Sequence, residues 1–93
     1  MVIIVNESLP TAVTGWLSQW FIEVQHNVYI GTMNVRVRNE VITYVQRNRS
    51  PGGAALCVYP KQGEPGFAIE CIGTPSMALE SFDGLILPVR RKP

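Results

Sequence analysis

A single acidic residue, Glu7, stands directly after the apolar run that begins the chain. A carboxylate at a strand end can bind Mg²⁺ or Mn²⁺, because both cations prefer oxygen ligands, and such a metal can activate water against a phosphodiester. One carboxylate per chain is a poor metal site, so this hypothesis requires Glu7 from two copies of the chain at a twofold axis. The alternative is that Glu7 caps the positive N-terminus of the helix that follows.

The sequence offers little other chemistry. His26 is the only histidine, which excludes a multi-histidine metal site and leaves only a pair with a cysteine or a serine. No phosphate-binding glycine loop, nucleophile elbow, CxxC pair or HExxH motif occurs. Cys57 and Cys71 lie in strand-like runs without metal-ligand spacing. We expect both cysteines to be buried free thiols.

Basic residues are segregated along the chain, although the net charge is only +1. Residues 34–61 hold five basic residues against Glu40 alone, a local net charge of +4, whereas residues 62–85 hold four acids and no base. A basic surface can therefore exist on a nearly neutral protein. The candidate nucleic-acid contacts are Arg36, Arg38, Arg47, Arg49, Arg90, Arg91 and Lys92. For the arginines at 36–49, the alternative is an ordinary solvated helix face.

Length and composition predict one small domain. The 93 residues leave no room for a second core, so we expect a domain core over residues 1–84 and a terminal strand with a basic tail over residues 85–93. A hydrophobic content of 46% is high for this size and favours an oligomer. No apolar run reaches the roughly 18 residues of a membrane span, and no basic flank precedes residues 1–5, so we expect a cytoplasmic protein.

The first half of the chain is predicted to contain a central strand and a long helix. Residues 1–5 are apolar on both alternating sets, which is typical of a strand covered on both faces. Ser8 is a candidate cap for a helix that opens with residues 9–11, where Pro10 is tolerated in the first turn. Helical spacing relates Val13, Trp16, Leu17, Trp20, Phe21 and Val24. This spacing predicts one amphipathic helix. Ile22 lies off its apolar face, either for contact with another chain or as a lone exposed isoleucine.

The second half begins with a short strand over residues 28–30 and a helix from an Asn34 cap to about Asn48. The predicted buried face of this helix holds Val37, Val41, Tyr44 and Val45. Residues 54–59 and 67–72 predict a hairpin, one register of which places Cys57 opposite Cys71. Residues 73–84 lack periodicity and are expected to be a link, and residues 85–89 form a last strand. Pro88 lacks an amide hydrogen, so this strand must lie at an edge or in a different sheet.

This order of elements predicts an α+β fold, a ferredoxin-like open sandwich with an antiparallel sheet and two helices on one face. Two helices cannot cover both faces of a sheet whose strands are apolar on both sides. We therefore expect a homodimer, in which a twofold copy covers the second face and the C-terminal strand pairs with the partner protomer.

Several motifs carry a family resemblance across nearly the whole chain. They are Asn6-Glu7, Gly15 with Leu17, Trp20 with Glu23-Val24, Val28-Tyr29-Ile30-Gly31, Asn34-x-Arg36-x-Arg38, Gly66-Phe67 and Asp83-Gly84-Leu85. With these motifs the sequence resembles the second universal CRISPR-associated adaptation protein (Cas two), in its type I-E branch.

The resemblance implies a homodimer that lies between two dimers of the CRISPR integrase subunit. Such a complex measures a length of foreign double-stranded DNA, the prespacer, and inserts it as a new spacer. Arg36 and Arg38 match basic positions of the family. The segment implied to dock the integrase comprises Leu85, Ile86, Leu87, Pro88 and Val89. Glu7 matches the acidic residue for which the family was first viewed as metal-dependent nucleases. An endonuclease acting on RNA or double-stranded DNA is thus an alternative function, and a ferredoxin-like ligand-binding regulatory domain is a third.

The chain departs from the family where relatives place DNA-contacting arginines. The first turn of helix one has Ala12 and Thr14, and the link before the last strand has Glu80 and Asp83. We therefore expect DNA contacts to be fewer or relocated, with the remaining helix-two arginines and the basic tail as candidates. Phosphate contacts position a protein on DNA without reading sequence, so such relocation is physically tolerable.

Overall fold

The computed structural model describes residues 1–74, 77–82 and 85–90, with side chains over residues 1–74. Its elements are β1 (Val2–Asn6), α1 (Thr11–Leu17), β2 (Ile22–Gln25), β3 (Val28–Gly31), α2 (Val35–Asn48), β4 (Ala55–Pro60), β5 (Phe67–Ile72), β6 (Met77–Phe82) and β7 (Leu85–Arg90). One antiparallel sheet has the order β2-β3-β1-β4-β5, and β6 and β7 form a separate two-stranded sheet. Its first six elements have the βαββαβ order of a ferredoxin-like domain, and the predicted α+β class is confirmed. Neither described helix combines the length and apolarity of a membrane span.

Both helices pack on the same face of the five-stranded sheet. Along β1 the side chains alternate, and Val2 and Ile4 point to the helix side, where they are 3% and 0% exposed. The core there also contains Val13 and Leu17 from α1, and Val41, Ile42 and Val45 from α2. The central position of β1, between β3 and β4, agrees with the prediction from its β-branched residues.

Helix α2 begins and ends where the sequence predicts. The Asn34 side-chain oxygen accepts a hydrogen bond from the Val37 amide at 2.9 Å, which satisfies one of the free amides of the first turn. The helix ends at Asn48, and the Arg49 amide donates to the Val45 carbonyl at 3.0 Å. The predicted apolar face is confirmed, since Val41 and Val45 are fully buried and Tyr44 packs against the core.

The prediction of one long first helix is wrong. Helix α1 ends at Leu17, and the amides of Gln19 and Trp20 donate to carbonyls only three residues earlier, which tightens the chain into a turn. Residues 22–25 then form β2, which pairs antiparallel with β3. Asn27 has a positive φ of 67°, the conformation of a tight hairpin turn. Pairing with β3 thus prevails over the helical periodicity.

The strand end before α1 is also organised differently from the prediction. Ser8 does not cap the helix, because its hydroxyl donates to the Gly52 carbonyl at 3.1 Å and accepts from the Ala54 amide at 3.0 Å. The residue before α1 is Pro10, and no side chain caps this helix. Ser8 therefore joins the start of α1 to the loop before β4.

The hairpin of β4 and β5 has a register that separates the two cysteines. Cys57 pairs with Glu70, and Leu56 pairs with Cys71. A shift of one residue turns every side chain of a strand to the opposite face, so Cys57 lies on the helix side and Cys71 on the other side. Both are free thiols, as expected, but only Cys57 is buried and Cys71 is half-buried.

The C-terminal part contains one unexpected strand. Residues 77–82 were expected to belong to a link, yet they form β6, which pairs with β7 along its whole length. Neither alternating set of β6 is uniformly apolar, so no periodicity marks it, and the strand is defined by its partner. The last strand is confirmed over Leu85–Arg90, and its place in a separate sheet agrees with the constraint from Pro88. The predicted contacts Arg91 and Lys92 lie outside the described residues.

Candidate nucleic-acid interface

Glu7 occupies an exposed position immediately after β1. The backbone around it is held firmly, because the amides of Glu7 and Ser8 both donate to the Ala54 carbonyl, at 3.1 and 3.0 Å. The neighbouring Asn6 side chain accepts from the Leu9 amide at 2.8 Å and donates to Asn27 at 3.0 Å. Glu7 is thus presented at a fixed point where the end of β1 meets the β2–β3 turn.

The environment of Glu7 does not fit a metal site within one chain. Among the described residues, no group of three or more histidine, cysteine or acidic side chains lies close enough together to hold a metal ion. Mg²⁺ demands near-octahedral oxygen coordination, which one carboxylate does not provide. His26 lies in the exposed β2–β3 turn and adds no such group. No reaction step through a metal follows from this geometry.

The outward surface of α2 carries Arg36, whose side chain is 86% exposed. Its Nε lies 3.6 Å from the Glu40 carboxylate, one helical turn further along. Exposed pairs of this kind contribute little to stability, because both groups are well solvated. Arg36 therefore remains available to bind a phosphate.

Arg38 lies in a more ordered environment than a solvated arginine. Its guanidinium carbon lies 3.9 Å above the centre of the Tyr59 ring, and its Nη2 donates to the Asn39 side chain at 3.1 Å. The Tyr59 hydroxyl in turn donates to Glu70 at 3.2 Å. Burial and the Glu70 carboxylate raise the pKa of Tyr59, and the Arg38 charge lowers it in part. Stacking on the ring fixes the direction of the guanidinium.

The other two helix-two arginines differ from each other. Arg47 lies exposed in the last turn of α2. Arg49 is half-buried, its Nη1 donates to the Gly53 carbonyl at 3.4 Å, and its buried Nε has no hydrogen-bond partner in the described part of the chain. Arg49 therefore contributes to the packing at the end of α2, and Arg47 is the better placed of the two to meet DNA.

The sheet face opposite the helices is apolar as well. Its described side chains include Ile3, Val5, Val28, Ile30, Leu56, Val58, Ile69 and Cys71. They are half-buried, except Val5, which is 37% exposed. At the edge strand β2, Ile22 is 73% exposed. Its exposure agrees with the prediction, although the reason is its place in an edge strand and not on a helix. An apolar surface of this extent is typical of a protein contact.

The C-terminal candidates are positioned only by their backbone. The segment of residues 85–89 lies in β7 together with Arg90. Its pairing with β6 shows that this segment is extended. The docking role of the segment and the DNA contact of Arg90 stay predictions.

Sequence reasoning missed the partners of Arg38. Tyr59 and Glu70 come from β4 and β5, far along the chain from α2, and their pairing depends on the hairpin register. It also missed a stacked pair of rings, Trp16 on Tyr44, although Tyr44 was placed on the buried face of α2. No local pattern reveals the Arg38 contact, because it joins separate elements.

The model of a family described as CRISPR-associated protein (Cas_Cas2CT1978) matches residues 1–87. The match spans all but the last residues of the chain, including both helices and all five strands of the larger sheet. The chain therefore belongs to this CRISPR-associated family, and the resemblance noted from its motifs is confirmed at this level.

Proposed function

We propose that this chain is the structural, double-stranded-DNA-bridging subunit of a CRISPR adaptation complex, and that it binds the integrase subunit. The observation that carries the proposal is the family match over residues 1–87. The exposed arginines of α2 support it, because they provide positive charge for phosphates. Enzymatic catalysis is not required for this role.

The DNA-binding part of the proposal rests on Arg36 and Arg38. These residues follow the α2 cap on the first turn of the helix, one of them exposed and the other oriented by Tyr59. Changing both arginines to glutamine should weaken duplex binding. It should also make the salt dependence weaker: the magnitude of the slope of log affinity against log salt should fall by about 2, since each lost phosphate contact removes about 0.9.

Lys61 provides a control for lost positive charge, because it is an exposed base in the turn between β4 and β5. Lys61→Gln removes one charge, whereas the double arginine variant removes two. Lys61→Gln should leave the duplex affinity and the salt slope nearly unchanged. An effect of Lys61→Gln about half as large as that of the double arginine variant would mean that net charge, rather than an α2 interface, governs binding. Unchanged affinity after the arginine changes would remove α2 from the proposal.

The homodimer is the second part of the proposal, and the apolar sheet face supports it. Val5 lies near the end of β1 on this face, beside the strand end that carries Glu7. A twofold axis near this end of β1 brings the Glu7 side chains of the two protomers towards each other. The alternative of a shared Mg²⁺ or Mn²⁺ site requires this arrangement. Glu7→Ala should leave spacer integration by the reconstituted complex intact. Loss of integration from a fully assembled complex would contradict the scaffold function.

The integrase contact is assigned to β7. Removing residues 85–93 should abolish binding of the integrase subunit, measured by co-purification or gel filtration. Removing only residues 91–93 is the matched control, since it deletes basic residues but keeps the strand, and it should preserve the complex. A complex that forms equally well without β7 would refute this docking role.

A further inference from the structure

Three aromatic side chains form a continuous row between the end of α1 and the outer side of α2. The Trp16 ring stacks on Tyr44 with 3.7 Å between ring centres and 15° between planes. The Trp20 ring follows, 6.2 Å from Trp16 and tilted by 52°. We call Trp20, Trp16 and Tyr44 the aromatic row.

The aromatic row is only partly used for packing. Trp20 is 46% exposed, whereas Phe21, the next residue, is 5% exposed and belongs to the core. Burial of large aromatic area is favourable, so a half-exposed tryptophan beside a fully buried phenylalanine leaves contact area for a ligand. The core itself needs Phe21, not the outer part of the Trp20 indole.

The row leads into a basic groove. Tyr44 lines an open groove of about 520 Å³ on the outer side of α2, together with Arg36, Glu40 and Arg47. Ligand sites commonly have volumes of roughly 300–1,000 Å³. The two arginines outnumber the single acid, which is itself paired with Arg36. The groove therefore favours an anionic ligand, and the row beside it favours one with flat apolar faces.

Single-stranded nucleic acid combines these two properties. Its phosphates suit arginines, and its unpaired bases stack on aromatic rings. A duplex provides phosphates but hides the faces of its bases inside the stack. A protein segment would meet the exposed ring but would not in general supply the negative charge.

We propose that the aromatic row and the α2 groove bind single-stranded nucleic acid, with an unpaired base stacked on Trp20 and the adjoining phosphates contacted by Arg36 and Arg47. This activity goes beyond duplex bridging and does not depend on it. Because stacking tolerates every base, the site has little sequence preference.

The chain has two tryptophans, both in the aromatic row, so intrinsic fluorescence reports on this site directly. Oligothymidylate should quench the fluorescence of the unmodified protein in a saturable manner. Inorganic polyphosphate, which has charge but no bases, should leave it nearly unchanged. Equal quenching by both polymers, or no quenching by oligothymidylate, would overturn the proposal, and this comparison requires no variant to fold.

Substitutions at Trp20 separate stacking from apolar contact. Trp20→Leu keeps an apolar side chain but removes the ring, and it should weaken oligothymidylate binding roughly tenfold. Trp20→Phe keeps a ring and should stay within about threefold of the parent. Affinity for duplex DNA should be the same in both variants. Unchanged single-strand affinity in Trp20→Leu, with its circular dichroism preserved, would overturn the proposal without affecting duplex bridging.

Discussion

The two faces of the five-stranded sheet have similar amino acids but different environments. On the helix side, Ile4 is 0% exposed beneath α1 and α2. On the other side, its neighbours Ile3 and Val5 are apolar too, yet Ile3 is half-buried and Val5 is 37% exposed. The composition of a strand indicates how much apolar surface it presents on each face. Whether a face is covered depends on the neighbouring elements, and here the helices cover only one face.

The largest expected effect is on the free energy of unfolding, and it distinguishes neighbouring β1 residues that lie on opposite faces of the sheet. Ile4→Ala should lower the free energy of unfolding by about 2–5 kcal/mol, because it opens a cavity in a fully packed core. Ile3→Ala removes the same atoms from the opposite face and should cost clearly less in dilute protein. Urea unfolding of both variants measures the difference. Equal losses at all protein concentrations would show that the two faces are packed alike.

A second experiment tests the proposed twofold contact across the less buried face. Val5→Asp should dissociate the dimer, since a carboxylate would be buried without a partner between the two sheets. Val35→Asp is the matched control, because Val35 is 61% exposed and lies in α2 rather than on the apolar sheet face. Sedimentation of the parent and the two variants gives the masses. A dimer that survives Val5→Asp would place the contact elsewhere.

A third, smaller effect concerns Cys57, which lies buried on the helix side of the sheet. Burial, with a smaller contribution from the Glu70 charge, raises the pKa of Cys57 from 9.0 to about 12. Because the unfolded thiol ionises first, the contribution of Cys57 to stability should be fully present below about pH 9 and should be lost as the pH rises towards 12. Unfolding curves at increasing pH test this, with Cys57→Ala as the control that lacks this contribution. An identical decline in the control would assign it to other groups.

The smallest effect distinguishes the two arginines at the start of α2. Arg38→Leu should cost about 0.5–1 kcal/mol, because it removes the stacking of the guanidinium on Tyr59. Arg36→Leu removes only an exposed ion pair and should change stability by less than about 0.5 kcal/mol. Thermal unfolding of both variants makes the comparison. A larger loss for Arg36 would contradict the different environments of the two side chains.

Local sequence patterns were sufficient where an element depends on its own residues. Helix α2 has a cap at Asn34, a regular apolar face and a terminating turn, and all three are found in the structure. The sequence pattern predicts too long a first helix, because residues 20–24 fit helical spacing and strand alternation equally well. The residue that favours a hairpin here is Asn27, since asparagine tolerates the positive φ of its turn, but the periodicity alone did not reveal it.

The candidate site was predicted in its residue types but not in its contacts. Arg36 and Arg38 were both identified from the charge pattern, yet only the structure distinguishes an exposed ion pair from a guanidinium held on Tyr59. Glu7 lies at the end of β1, as the sequence predicts, whereas the contact that holds its backbone is a hydrogen bond from its own amide to the Ala54 carbonyl, just before the neighbouring strand β4. These contacts join elements distant in sequence, and no local pattern encodes them.

The sequence by itself determined the α+β class, the central strand, helix α2 and the motifs that led to the family. These features follow from periodicity, capping and composition within short segments. Tertiary structure alone decided that residues 22–25 pair with β3, that β6 exists, and that Cys57 and Cys71 lie on opposite faces. Strand pairing is a non-local choice, and a shift of one residue in register exchanges the two faces of a strand.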